Sequence, residues 1–246
     1  MTTRTESVPV PGGSFDLYLW LPEAGQGPGL LLLQEIYGVS DYIEAVAEDL
    51  AALGYVVGAP DLFWRLKPRH RAAHDEAGLK ESLALGGRFD VAQGVADSAA
   101  ALAVLAEQPE VTGGHGLVGF CLGGSLAYLI AAQAEPGTLE AVLSFYGSEV
   151  PASLAVLDQI TAPLQFHFGG SDPFIPRAQV ALVEQAAEPV PSVEIHVEEQ
   201  AGHAFHNRKA PMFYQPDPAA RAWQRAVVFL ERHLPAGHPA GPAAAG

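Results

Sequence analysis

The residues best placed to do chemistry are a cysteine, an aspartate and a histidine, spread over 83 positions (121 to 203). Cys121 is the chain's only cysteine and sits in Gly119-Phe120-Cys121-Leu122-Gly123-Gly124. The apolar pair Leu117 and Val118 precedes it. After it, Leu122, Leu126, Leu129 and Ile130 recur at helical spacing through the segment Ser125–Ala134. A strand that enters a helix through Gly-x-Cys-x-Gly makes a nucleophile elbow, with cysteine where serine is more usual. The turn is sharp enough that glycines must flank the nucleophile. The helix N-terminus beyond it favours a thiolate and a developing oxyanion. A lone cysteine is otherwise a small buried hydrophobe, so the elbow needs partners to mean catalysis.

An elbow nucleophile needs a base, and the base needs an acid to orient it. In elbow enzymes these follow in the chain order nucleophile, acid, histidine. Asp172 lies in Gly169-Gly170-Ser171-Asp172-Pro173, just past the apolar run Leu164–Phe168. His203 lies in Ala201-Gly202-His203-Ala204-Phe205, between the run Val193–Val197 and the last helical segment. Alone, Asp172 reads as a turn residue and His203 as one of nine histidines. Their order, and their places at the C-terminal ends of strands, make Cys121, Asp172 and His203 the candidate catalytic set. Glu35, in Gln34-Glu35-Ile36-Tyr37-Gly38, ends another apolar strand. Its loop faces the elbow in this arrangement, so its carboxylate is expected to reach the Cys121 thiol; the plainer reading is an exposed loop glutamate.

The elements that must position these residues alternate along the chain. Phe15 to Leu21 reads as a half-buried strand, in a hairpin with the opening residues. Gly29–Gln34 reads as a buried strand, followed by a helix from Asp41 to Leu53 with an Asp41/Glu44 capping box and Gly54 beyond its end. Tyr55–Ala59 is the next buried strand. From Phe63 to Arg88 the apolar periodicity weakens. A long helix spans Val91 to Leu105, and after the elbow come strands at Ala141–Tyr146, Leu164–Phe168 and Val193–Val197, with helices at Arg177–Ala187 and Ala219–Leu234. Strands alternating with helices predict an α/β fold, a doubly wound and mostly parallel sheet with helices on both faces and no separate cap domain. Residues 1–234 are expected to form one domain, and 235–246, rich in Pro, Ala and Gly, a disordered tail.

Composition narrows the partners. The 246 residues carry 28 acidic and 13 basic side chains, a net charge of -15, which disfavours nucleic acid and anionic membrane surfaces. One cysteine excludes an intrachain disulfide and a multi-cysteine zinc site, and neither metal nor cofactor is expected. No apolar run approaches the roughly 20 residues of a membrane span, and no secretory signal opens the chain. A cytoplasmic monomer acting on a small molecule is the expectation.

The segments QEIYG, PDLF, GFCLGG, FYG, GGSDPFIP and AGHAF follow one another in an order that resembles the dienelactone hydrolase (carboxymethylenebutenolidase) family, from Leu30 to Leu234. The resemblance implies a minimal α/β-hydrolase fold and hydrolysis of a lactone or ester through an acyl-cysteine. It also implies a Cys121–Asp172–His203 triad, Glu35 holding the resting cysteine, and an oxyanion hole from the backbone N–H groups of Leu122 and Ile36. Two features depart from the family pattern. The region before Phe89-Asp90, where the family carries an Arg and a Tyr, here reads Leu79-Lys80-Glu81-Ser82-Leu83. Four residues after the histidine, Asn207 stands where the family has an arginine, with Arg208 next.

Six of the 13 basic residues fall between Arg65 and Arg88. That stretch leaves the C-terminal end of a strand, so it is expected to overhang the site and attract a small anion. Arg65, Lys80, Arg88 and Arg208 are then candidates to hold a substrate carboxylate, and Tyr37, Phe63, Trp64, Tyr146, Phe174 and Phe205 candidates for an apolar wall. The alternatives are a general carboxylesterase or thioesterase on the same site, and a ligand-binding scaffold without turnover.

Overall fold

The computed structural model describes residues 2–237, so residues 238–246 of the expected tail lie outside the described chain. An eight-stranded sheet runs through the molecule in the order β1-β2-β4-β3-β5-β6-β7-β8, with β1 Thr2–Val10, β2 Gly13–Leu21, β3 Gly27–Leu33, β4 Val56–Pro60, β5 Val111–Phe120, β6 Ala141–Phe145, β7 Leu164–Gly169 and β8 Val193–Glu198. The first two strands form the expected hairpin and join β4 antiparallel; every later pairing is parallel. β3 and β6 are buried along their whole length, as central parallel strands must be when helices cover both faces.

The helices are α1 (Asp41–Ala52), α2 (Glu76–Gly86), α3 (Val91–Ala106), α4 (Leu122–Ala131), α5 (Arg177–Ala187) and α6 (Pro216–His233). Right-handed crossovers fix their sides. The chain leaves β3 toward β4 through α1, then reverses direction, passing from β4 to β5 through α3 and from β5 to β6 through α4. Helices α3 and α4 therefore share one face, where they pack on each other, and α1 takes the other. The reversal lies between the neighbours β3 and β5. A doubly wound sheet opens a crevice at the carboxyl ends of such strands, and those ends carry Glu35 and Cys121.

Local structure departs from expectation in three places. The cap of α1 is Ser40, which makes no side-chain cap bond, and the Asp41 and Glu44 carboxylates bond Arg71 at 3.1 and 2.6 Å instead of forming the expected capping box. The poorly periodic stretch after Phe63 contains a true helix, α2, capped by the Asp75 carboxylate on the N–H of Gly78 at 2.8 Å. Its periodicity is weak because Gly78 and Ser82 take part of its buried face, while Leu79 and Leu83 turn toward the crevice instead of the core. Short 3-10 turns at Pro151–Gln159 join β6 to β7.

Candidate active site

The elbow is held by contacts that only glycine permits. Cys121 has φ 54° and ψ -114°, a conformation costly for a residue with a side chain, on the order of 1–3 kcal/mol. A Cβ on Gly119 would stand 2.0 Å from the Gly123 carbonyl oxygen, and one on Gly123 only 2.1 Å from that of Leu33. Strand β6 completes the clamp through the Cys121 N–H, which donates to the Phe145 carbonyl at 3.0 Å. Leu122 then opens α4, where the first N–H groups have no partner inside the helix.

His203 Nε2 lies 3.2 Å from Cys121 Sγ, and its Nδ1 lies 2.7 Å from Asp172 Oδ2. The other carboxylate oxygen, Oδ1, accepts the N–H groups of Phe174 (2.7 Å) and Ile175 (3.2 Å), which locks the acid in place. Burial disfavours charge on the imidazole, but the Cys121 sulfur and the Asp172 carboxylate outweigh it and raise the His203 pKa to about 10. A proton therefore rests on the imidazole, between the Asp172 carboxylate and the Cys121 sulfur. Tyr146, with φ 41°, packs its ring 5.1 Å from that of His203, and Phe174 meets it edge-on at 5.0 Å.

A cavity of about 190 Å³ opens over the sulfur, lined by Glu35, Ile36, Tyr37, Leu79, Leu83, Cys121, Ser148, Phe174, His203, Ala204 and Phe213. A larger hollow, about 870 Å³, lies at the amino ends of β3 and β5, away from Cys121.

A sequence model of the dienelactone hydrolase family matches residues 15–234. The chain belongs to the dienelactone hydrolase family. Carboxymethylenebutenolidase of a Pseudomonas species is 34% identical over 227 residues, 92% of this chain and 93% of its own. The Pseudomonas putida carboxymethylenebutenolidase is 32% identical over 220 residues, covering 89% and 92%. The crystal structure of a dienelactone hydrolase from Anabaena variabilis shares the fold at a TM-score of 0.70 and 21% identity, covering 95% of this chain and 98% of its own. The chain is thus an α/β-hydrolase and a hydrolase of the dienelactone hydrolase type. Among the described residues, no single helix is long and apolar enough to cross a membrane.

Within this family member, the expected site residues divide into two groups. Cys121, His203, Asp172, Ile36, Tyr37, Phe174 and Tyr146 gather at the crevice, and Leu122 starts the helix beneath it. Glu35 also reaches the cavity, but its carboxylate does not bond the thiol. Its Oε1 is held by His74 Nε2 at 3.0 Å and by Asn207 Nδ2 at 2.9 Å. Phe63 and Phe205 are wholly buried behind the wall: Phe63 packs on His70 and Phe89, and Phe205 on Tyr146.

The basic rim does not form. Arg65 lies over the Trp64 ring and grips Asp97 through two nitrogens at 3.1 and 3.2 Å, with Trp64 Nε1 on the same carboxylate, so both residues serve α3. Arg208 is tied to Asp49 (2.6 Å) and the Ala45 carbonyl on α1. Lys67 pairs with Glu81, Arg69 with Asp16, and Arg71 with α1. Lys80 and Arg88 are exposed and do not line the cavity. Apart from Glu81, which lies within the stretch, the acids that neutralise it come from other segments (Asp16, Asp41, Glu44 and Asp97), which the sequence pattern could not show. The residues that sequence reasoning missed are His74, Leu79, Leu83, Ser148 and Phe213. Of these, Leu79 and Leu83 carried a signal, being the apolar residues of the segment already noted as departing from the expected pattern.

Proposed function

We propose that this protein hydrolyses a small carboxylic ester or lactone through an acyl-cysteine on Cys121. The observation that carries the reading is the continuous line from Asp172 through His203 to the sulfur, at 2.7 and 3.2 Å. The Cys121 thiolate attacks the substrate carbonyl, and the oxyanion falls to the N–H groups of Leu122 and Ile36. His203, already protonated, gives its proton to the leaving alkoxide as the tetrahedral adduct collapses to the thioester. The now neutral imidazole takes a proton from water, whose oxygen attacks the thioester. Collapse expels the carboxylic acid and the thiolate, and the imidazolium–thiolate pair is restored. Asp172 fixes the tautomer throughout.

The free thiol suits a reducing compartment, so the cytoplasm is its proposed location, with the chain acting as a monomer on a small molecule. The test is turnover of lactones and 4-nitrophenyl esters beside the Cys121→Ala variant. Loss of activity by orders of magnitude with the fold retained is expected. Iodoacetamide should label one thiol and stop turnover; full activity after stoichiometric labelling would overturn the proposal.

A further inference from the structure

Resting on that reading, we infer that the site takes a neutral ester or lactone with an alkyl or aryl group, and disfavours substrates that carry a carboxylate away from the reacting carbonyl. The charges facing the cavity are the reason. Among the described lining residues, the ionisable side chains are Glu35, Tyr37, Cys121 and His203, and no lysine or arginine is present. The imidazolium of His203 is matched by the sulfur on one side and Asp172 on the other, so it offers no unspent charge to a distant carboxylate. The Glu35 carboxylate forms part of the wall. An anionic tail would lose its water there and meet a like charge instead of a partner. The polar groups left to recognise a substrate are hydroxyls. The Tyr37 hydroxyl is buried without a partner, and burial, with the Glu35 charge nearby, raises its pKa to about 12, so it stays a neutral donor. Ser148 supplies the other.

The remaining wall is apolar and comes from three separate segments: Leu79 and Leu83 on α2, Phe174 after β7, and Phe213 before α6. Leu83 is 49% exposed and Phe174 56%, although both are large hydrophobes at the mouth of a cavity. Placing such side chains in water at one opening is the mark of a surface that a ligand covers. Burying a four-carbon chain against this wall favours an alkyl group over a charged one of similar length. The volume of about 190 Å³ seats one such group, well short of the roughly 300–1,000 Å³ that takes a drug-sized ligand.

The experiment uses two arms. In the first, the full-length protein is alkylated with N-methylmaleimide, N-butylmaleimide and 3-maleimidopropionate, each rate being divided by that for glutathione, in 0.05 and 0.5 M salt. This arm needs no turnover. The butyl reagent should be at least tenfold faster than the acid of similar length, and at 0.5 M salt, where the long-range field of the acidic body is screened, the preference should persist. Equal or faster reaction of the acid would overturn the inference. The Leu83→Lys variant should move the ratio toward the acid; an unmoved ratio would count against α2 as the wall. In the second arm, kcat/KM is compared for 4-nitrophenyl pentanoate and the mono-4-nitrophenyl ester of glutaric acid, and a tenfold preference for the pentanoate is expected. Preference for the glutarate sinks the inference but leaves the hydrolase reading standing. Absence of turnover on both, with the maleimide preference intact, sinks the hydrolase reading and leaves the neutral apolar site.

Discussion

Asn207 Nδ2 donates to Glu35 at 2.9 Å, on the same carboxylate oxygen that His74 Nε2 meets at 3.0 Å. One oxygen of a carboxylate only 1% exposed is thus held by two groups away from the thiol, and Cys121 is left to His203. The resemblance had implied a glutamate resting on the cysteine. Here the amide of Asn207 and the ring of His74 draw it aside.

Removing either partner should cost stability and change the thiol. For Asn207→Leu we expect a loss of about 1–3 kcal/mol, because a buried charged acceptor loses a donor. The released carboxylate would also disfavour negative charge on the sulfur. The pH midpoint for iodoacetamide labelling should therefore rise. A fall in stability with an unmoved midpoint would make the network a purely structural one.

The His203 shift has a definite sign in pH. Its folded pKa is raised from 6.5 to about 10, so the stability it contributes is whole below about pH 6.5 and is lost as the pH rises through about 10. Urea midpoints should fall between pH 8 and 10.5, and His203→Gln should flatten that slope. Turnover of alkyl esters, whose poor leaving groups need the imidazolium proton, should decline over the same upper range. 4-Nitrophenyl esters should be affected less.

Asp172→Asn keeps an oxygen for the N–H groups of Phe174 and Ile175 but removes the charge that orients His203. We expect a folded protein with kcat lowered by about 10²–10⁴, by analogy with the acid of a serine triad, for which the loss is about 10⁴. Circular dichroism and thermal melting beside ester kinetics check both halves.

Two glycines beside the site should behave oppositely. Gly123→Ala puts a methyl group 2.1 Å from the Leu33 carbonyl oxygen and 2.7 Å from that of Gln34, both rigid backbone, and should cost more than about 3 kcal/mol. Gly202→Ala, next to His203, meets nothing within 4 Å and should leave the melting temperature within a few degrees. Equal effects from the two would contradict the packing of the elbow.

How much of this was legible in the sequence differed by feature. The elbow was, because its tight backbone needs glycines at fixed spacing and the spacing is visible. Asp172 and His203 were, because a parallel sheet puts its working loops at one end and the chain order is constrained. The fate of the basic residues was not: Arg65 is spent on Asp97, and Arg69 on Asp16, 53 positions away. Nothing in local pattern pairs such residues. His74 was equally silent, since its meaning lies in a contact with Glu35 across 39 positions. Helix α2 hid for a related reason, as part of its apolar side faces the crevice.

The backbone angle at Cys121 reaches beyond the reaction itself. No isolated segment would hold a residue with a side chain at φ 54°; the Phe145 carbonyl that accepts its N–H, the close packing of Gly123 on Leu33 and the turn of α4 hold it there together. The elbow around Cys121 therefore does not exist until β3, β5 and β6 are assembled side by side. In a chain still folding, residue 121 relaxes and its thiol is no longer held 3.2 Å from the His203 ring. Hydrolytic activity is then a head-count of finished molecules: during refolding it should recover no sooner than the slowest of these three strands, however early the helices form.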